Sequence, residues 1–216
     1  DNCPDVYQEL FENTFPEQDL VIIRLPGNGN AGTFTKQLDI LCHQREADAV
    51  YFAEDDYFYL PNSLEHAFRF LMANQQADFI SLYDHLDYYQ MDFHHHPVPV
   101  ILYQDHHWRK ANSTCMTFMT KKSTLKATRS VFATYANSNF DVSIWMILTK
   151  IRAFNIFLFS KYLFTDRILF SAYIKAWYFG LFRLLLRCKY SLWTPIPSLC
   201  THMEKTGIAP TINWAE

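Results

Sequence analysis

The chain has 216 residues, a formal net charge of −3, 50% hydrophobic residues and 17% aromatic residues. That hydrophobicity excludes an intrinsically disordered polypeptide, and the mildly acidic balance excludes the basic footprint of a general nucleic-acid binder. The length suits one domain with an appendage and is ample to bury a core.

In chain order, Asp1-Asn2-Cys3-Pro4-Asp5 reads as a loop that follows a strand, so an earlier strand and helix are expected upstream of it. Residues 6–15 carry Val6, Leu10 and Phe11 on one helical stripe. Residues 20–25 form a β-rich run, and a Gly/Asn loop follows before a helix over 33–46. Residues 48–53 read as a buried strand that ends in the acids Glu54-Asp55-Asp56. A helix over 63–74 and a strand over 78–83 come next. Residues 84–114 are polar, rich in histidine and resist assignment. A strand over 115–119, a helix over 123–136 and a helix opening at Asp141 continue the alternation. Such alternation predicts an α/β fold with a mostly parallel sheet flanked by helices.

Residues 152–190 change character: Phe, Leu, Ile, Tyr and Trp dominate, with seven basic residues and the single acid Asp166. No uncharged run reaches the roughly 20 residues that span a bilayer. Aromatic helices with basic heads can lie in a membrane interface, and a helical core or oligomer contact would read the same way. Residues 191–216 return to loop chemistry, with several prolines. The expected divisions are therefore 1–150, 151–190 and 191–216.

A buried strand that delivers three adjacent carboxylates to its carboxyl end places them where open α/β sheets bind ligands. Mutual repulsion among them favours a divalent cation, and hard oxygen ligands suit Mg²⁺ or Mn²⁺. A solvated acidic turn before a helix N-terminus would also carry this pattern. Five widely spaced cysteines without a CxxC pair fit neither a zinc ribbon nor a disulfide framework and point to a reducing cytosol. The clusters His94-His95-His96 and His106-His107 could in principle hold zinc, but adjacent histidines seldom face one ion.

Taken together, Asp1-Asn2, the loop Asn28-Gly29-Asn30-Ala31-Gly32-Thr33 with Lys36, Glu54-Asp55-Asp56, and Asn139-Phe140-Asp141 in that order resemble the GT-A fold of family-2-like inverting nucleotide-sugar glycosyltransferases. The resemblance covers residues 1–145 and the tail around His202. It implies that Asp1 and Asn2 read the nucleotide base and that Gly32, Thr33 and Lys36 attend the diphosphate. By the same resemblance Glu54 and Asp55 contact ribose or sugar, and Asp56 binds Mn²⁺ or Mg²⁺ with His202 as a late ligand. Glu204 is a weaker candidate for that place. Glu54 stands where the family's D-x-D motif has Asp, and Lys36 where Arg is common. Asp141, about 85 residues beyond the acids, is the implied catalytic base. Trp108 and Arg109 precede the base helix and suit acceptor binding by stacking and ion pairing.

The expected activity is metal-dependent, inverting transfer of a sugar from a nucleoside-diphosphate-sugar to a hydroxyl of a surface polysaccharide or glycolipid. The expected location is cytoplasmic, with peripheral contact at the inner membrane face and no nucleic-acid partner. Two rival expectations are a nucleotidyltransferase, which would release pyrophosphate, and a truncated, non-catalytic interaction module.

Overall fold

A computed structural model describes residues 4–214 of the chain; Asp1 and Asn2 lie outside the described residues. Helix α1 (Asp5–Thr14) leads by way of a 3₁₀ turn to α2 (Gly29–His43). Gly29 begins α2 at φ 64°, a left-handed conformation that glycine adopts without a Cβ clash. Then come β1 (Ala49–Phe52), β2 (Tyr57–Tyr59), α3 (Ser63–Ala73), β3 (Phe79–Ile80) and the short α4 (Asp87–Gln90). The hairpin β4 (Val100–Tyr103) and β5 (His106–Ala111) precedes β6 (Phe118–Lys121) and α5 (Lys122–Phe132). Helices α6 (Asp141–Thr149), α7 (Ile156–Thr165) and α8 (Arg167–Leu186) lead to β7 (Leu192–Ile196) and β8 (Cys200–His202).

Six strands form one sheet in the order β1-β6-β3-β7-β5-β4, and β2 pairs with β8 in a second, two-stranded sheet. The fold is α/β with a mixed sheet. Strands β1, β3, β7 and β4 share a direction, but β6 and β5 run against them, so β3–β7 is the one parallel pairing in that sheet. The expectation of a mostly parallel sheet is corrected accordingly.

Side-chain alternation explains the layers. Phe79, Phe118 and Leu192 point to one face, where α2, α5 and α6 bury Phe34, Phe132 and Trp145 against them. Their neighbours Ile80, Met119 and Trp193 point to the other face, where α3 contributes Ala67, Phe70 and Leu71. Helix α6 is buried from Ser143 to Thr149 because α8 covers the side turned away from the sheet.

This arrangement corrects two sequence expectations and assigns a segment the sequence left open. Residues 20–25 are extended but form no strand, and Val21 is 83% exposed. Residues 84–114 hold the β4–β5 hairpin, turned at Gln104 with φ 50°. The tail is not loop alone: it supplies β7 to the middle of the sheet and β8 to β2. Pro195 is tolerated in β7 because it lies past Trp193, the last residue paired with β3. The first and third expected segments thus share one sheet, and 151–190 packs on it as helices α7 and α8.

Helix α8 approaches α6 closely at Gly180, where an added Cβ would lie 2.5 Å from Ile147 Cγ1 and 2.8 Å from its Cγ2. Ile147 is buried and stiff at χ1, so it has little room to give. Gly180→Ala should therefore destabilise, with overpacking of about 1–3 kcal/mol exceeding the ~1 kcal/mol of regained helix propensity. A lower melting temperature is the expected readout; a higher one would mean that the helices separate freely.

Candidate functional site

Strand β1 ends at Phe52, and the chain leaves the sheet carrying Glu54, Asp55 and Asp56. These acids line a cleft of about 570 Å³ together with Asn30 and Thr33 from the first turns of α2 and with Tyr135. Backbone N–H groups at a helix N-terminus and a row of carboxylates therefore face one space, a pairing that suits a phosphate bridged by a cation. Gly32 and Lys36 are not among the residues that line this cleft: Gly32 packs against Asn28, and Lys36 is exposed.

Glu54 accepts a hydrogen bond from the Thr117 hydroxyl at 2.8 Å. Burial nonetheless holds its carboxyl above the usual carboxylate range, and the charges of Asp56 and Asp141 push the same way. Asp56 is fixed by the second sheet. The β2–β8 register sets Tyr57 opposite His202, and the Met203 N–H donates to the Asp56 carbonyl at 2.8 Å. His202 Nε2 then lies 3.0 Å from Asp56 Oδ2. The other oxygen, Oδ1, is buried without a hydrogen-bond partner. Such an orphan is expensive, and a divalent ion with water or phosphate oxygens would satisfy it. His202, whose Nδ1 accepts the Glu204 N–H at 3.2 Å and whose Nε2 donates to Asp56, could join as a ligand only after its ring turned or changed tautomer. Among the described residues no group of three or more His, Cys, Asp or Glu forms a complete ligand set.

A second cavity, of about 260 Å³, holds Asp141, His85, Asp87 and Cys115, with Ile168 and Leu169 of α8. Asp141 occupies the first turn of α6, anchored by Asn139 and by Ser143 Oγ, which accepts from the Phe140 N–H at 3.2 Å. The Val142 N–H donates to Asp141 Oδ1 at 2.6 Å. Burial raises the Asp141 pKa; that hydrogen bond and nearby His85 oppose the rise. His85 Nδ1 accepts the Asp87 N–H at 3.0 Å, and burial lowers its pKa, keeping the ring neutral. The Cys115 thiol is pushed up to about 12 by burial and stays protonated.

Trp108 and Arg109 do not face an acceptor, and that expectation is corrected. Trp108 is 1% exposed and lies flat on Phe70, ring centroids 4.1 Å apart at 5°. Arg109 is enclosed: its guanidinium pairs with Asp84 Oδ1 at 2.6 Å and sits over the Tyr88 and Tyr89 rings at 4.3 and 4.7 Å. The histidine clusters disperse. His94 is half-buried in the wall of the second cavity, with its pKa lowered to about 4 by desolvation, while His95 turns to Asp92 and His106 lies tilted against His66.

His85 and Asp87 were missed in the sequence, although a signal existed. They follow β3 as Glu54–Asp56 follow β1, and both strands point the same way. Comparison with protein-family models, with curated proteins and with solved structures gives no significant match.

The Asp84–Arg109 pair also makes a prediction. Asp84 is fully buried, and burial raises its pKa more strongly than Arg109 lowers it. Arg109→Ala would leave a buried carboxylate unpaired and should cost about 3–5 kcal/mol near neutral pH. Removing the cation raises the Asp84 pKa further, so the folded variant takes up a proton at higher pH. The penalty should then shrink as pH falls, which urea denaturation at pH 7 and pH 5 would reveal. A penalty independent of pH would exclude an electrostatic origin.

Proposed function

We propose that the protein is a metal-dependent glycosyltransferase of GT-A type that moves a sugar, with inversion, from a nucleoside-diphosphate-sugar to a hydroxyl acceptor. The observation that carries this reading is the junction of two spaces. Cys115 lines the cavity of Asp141 and the next residue, Met116, lines the cleft of Glu54–Asp56 and the α2 N-terminus, and Glu54 feels the charge of Asp141.

On this reading the α2 N-terminus receives the diphosphate, with Thr33 and Asn30 as hydrogen-bonding partners. Asp56, joined by His202 once its ring turns, would hold Mn²⁺ or Mg²⁺, which supplies Lewis-acid stabilisation of the charge that builds on the leaving diphosphate. Glu54 and Asp55 border the place left for ribose and sugar. Asp141 takes the proton from the acceptor hydroxyl as the acceptor oxygen forms its bond to the anomeric carbon. The bond from that carbon to the phosphate oxygen breaks on the opposite side, and its electron pair leaves with the nucleoside diphosphate. Burial of Asp141 makes it a stronger base than an exposed carboxylate, and neutral His85 and Asp87 are placed to orient the acceptor.

Calorimetry with Mn²⁺ and a panel of nucleoside diphosphates tests the donor half. Wild type should bind one base in a metal-dependent way, and Asp56→Ala should weaken that binding at least tenfold. Asp141→Asn should keep the binding and lose transfer by about 10²–10⁴. Release of pyrophosphate would instead favour nucleotidyl transfer, and no nucleotide binding would favour a non-catalytic module.

The pH profile is a separate test. Asp141 must be ionised to accept the proton, and burial raises its pKa. The rate should therefore rise with pH through a midpoint above the ordinary aspartate value of about 3.9. Asp141→Asn should abolish that midpoint and leave the pH dependence of donor binding, which Glu54 also shapes, unchanged. A rate already flat from pH 4 upward would remove Asp141 from the role of base.

A further inference from the structure

Helix α8 has two unlike faces. Leu169, Ala172, Tyr173, Ala176, Gly180 and Leu184 are buried, on the side packed by α6 and α7. On the opposite side Ile174, Tyr178, Leu181, Phe182 and Leu185 are exposed, Tyr178 at 81%. Helix α7 extends this surface with Phe157 and Phe164, the latter 85% exposed. A contiguous apolar surface of this kind marks an interaction site.

Among the described residues α8 is the one helix long and apolar enough to cross a membrane, yet a third of its apolar window is buried in the protein. Crossing would strip away the α6 contact at Gly180. A helix with one face held by protein and the other free can instead lie along an interface.

Charge selects the occupant. The chain as a whole is acidic, but residues 152–190 hold seven bases and one acid. That acid, Asp166, caps α8 by accepting the Ile168 and Leu169 N–H groups at 2.9 and 3.0 Å. Arg167 stands exposed at one end of α8, and Arg187 and Lys189 at the other; none of the three forms a carboxylate ion pair among the described residues. A second copy docked on this face, in either direction, would set basic ends against basic ends. A surface of anionic headgroups over acyl chains satisfies the basic ends and the apolar middle together. Ile168, 71% exposed in the first turn of α8, also lines the cavity of Asp141.

We propose that the α7–α8 face docks on the surface of an anionic lipid bilayer. Tyr178, Phe182, Phe157 and Phe164 enter the headgroup–acyl boundary, and Arg167, Arg187 and Lys189 meet the phosphates. The mouth of the Asp141 cavity then opens at headgroup level. The consequence that this cavity takes an acceptor carried on a lipid rests on the transferase reading; the docking itself does not.

Vesicle flotation of the full chain tests the docking without any nucleotide. The protein should float with phosphatidylcholine vesicles containing phosphatidylglycerol, and less with phosphatidylcholine alone or at high salt. The combined Phe164→Ser, Tyr178→Ser, Phe182→Ser variant should lose binding at least tenfold. Arg187→Glu with Lys189→Glu should lose it on anionic vesicles. These side chains are exposed, so unchanged melting temperatures should accompany both losses. Absence of wild-type flotation, equal binding to neutral and anionic vesicles, or full retention by the serine variant would each overturn the proposal. So would a dimer in light scattering that the serine variant dissociates. Because nucleoside diphosphate binding is read separately by calorimetry, failure at the membrane and failure at the donor cleft are distinguishable.

Discussion

The run of residues 191–202 along residues 78–84 is the constraint on which the rest of the structure depends. Ser191 donates its N–H to Asp78 Oδ2 at 2.8 Å and accepts the Phe79 N–H at 3.0 Å. The ladder continues as Ser81 N–H to the Trp193 carbonyl at 2.9 Å and the Thr194 hydroxyl to the Tyr83 carbonyl at 3.0 Å. Past Pro197, Ser198 Oγ accepts the Asp84 N–H at 2.8 Å, and the Leu199 N–H donates to the Leu82 carbonyl at 2.9 Å. Without this zipper β3 and β5 would not share a sheet, and β8 would not reach β2. His202 meets Asp56 only because every earlier pair in the run is in register. A slip by one residue would turn His202 away from the acids.

Three carboxylates near this end of the sheet, Asp84 buried, Asp141 half-buried and Glu54 at the surface of the cleft, show how differently one group can be accommodated. Asp84 has a guanidinium, a tyrosine hydroxyl and a serine-bonded backbone around it, which is the full satisfaction expected of a structural charge. Glu54 has one hydroxyl donor and two neighbouring acids. Asp141 has a donor from its own helix turn and an open cavity in front of it. Burial raises the proton affinity of all three, but only Glu54 and Asp141 keep a face toward space that a ligand could fill. Perturbed carboxylates that remain accessible are the ones able to do chemistry.

Much of this was legible in the sequence where local pattern and burial agree. The strand before Glu54, the helix opening at Asp141 and the helix expected at 63–74 stand close to their expected bounds, and the helix expected over 123–136 ends at Phe132 and continues as a 3₁₀ turn to Asn137. The acids and the helix-start Asp141 were singled out from spacing and family resemblance, and the fold sets them in adjoining spaces. What the sequence hid depends on long-range pairing. Residues 20–25 have strand composition but no paired edge, so propensity alone does not make them a strand. The tail carries prolines that read as loop, yet Trp193 finds a slot beneath Phe70 and β7 becomes central. Trp108-Arg109 looked like a sugar platform because an aromatic and a cation side by side carry no label for inside or outside. Strand alternation decided it, sending the tryptophan to the α3 core and the arginine to Asp84.

The unmatched oxygen of Asp56 supports the proposal that this end of the sheet takes a ligand. The Asp84 carboxylate has two donors, Arg109 and Tyr89, whereas Asp56, its side chain half-exposed, is held through its backbone carbonyl by the Met203 N–H. Yet Oδ1 is left without a donor while Oδ2 faces an imidazole nitrogen. If the acids were only a solvated turn, Asp56 would turn both oxygens to water, since nothing in an exposed loop prevents it. The β2–β8 pairing prevents it here, fixing Asp56 and His202 at hydrogen-bond distance beside a cleft lined by Glu54 and Asp55. Rigid placement of an incompletely satisfied acid costs stability. Such a cost persists where a bound cation offsets it, as the proposed donor site requires.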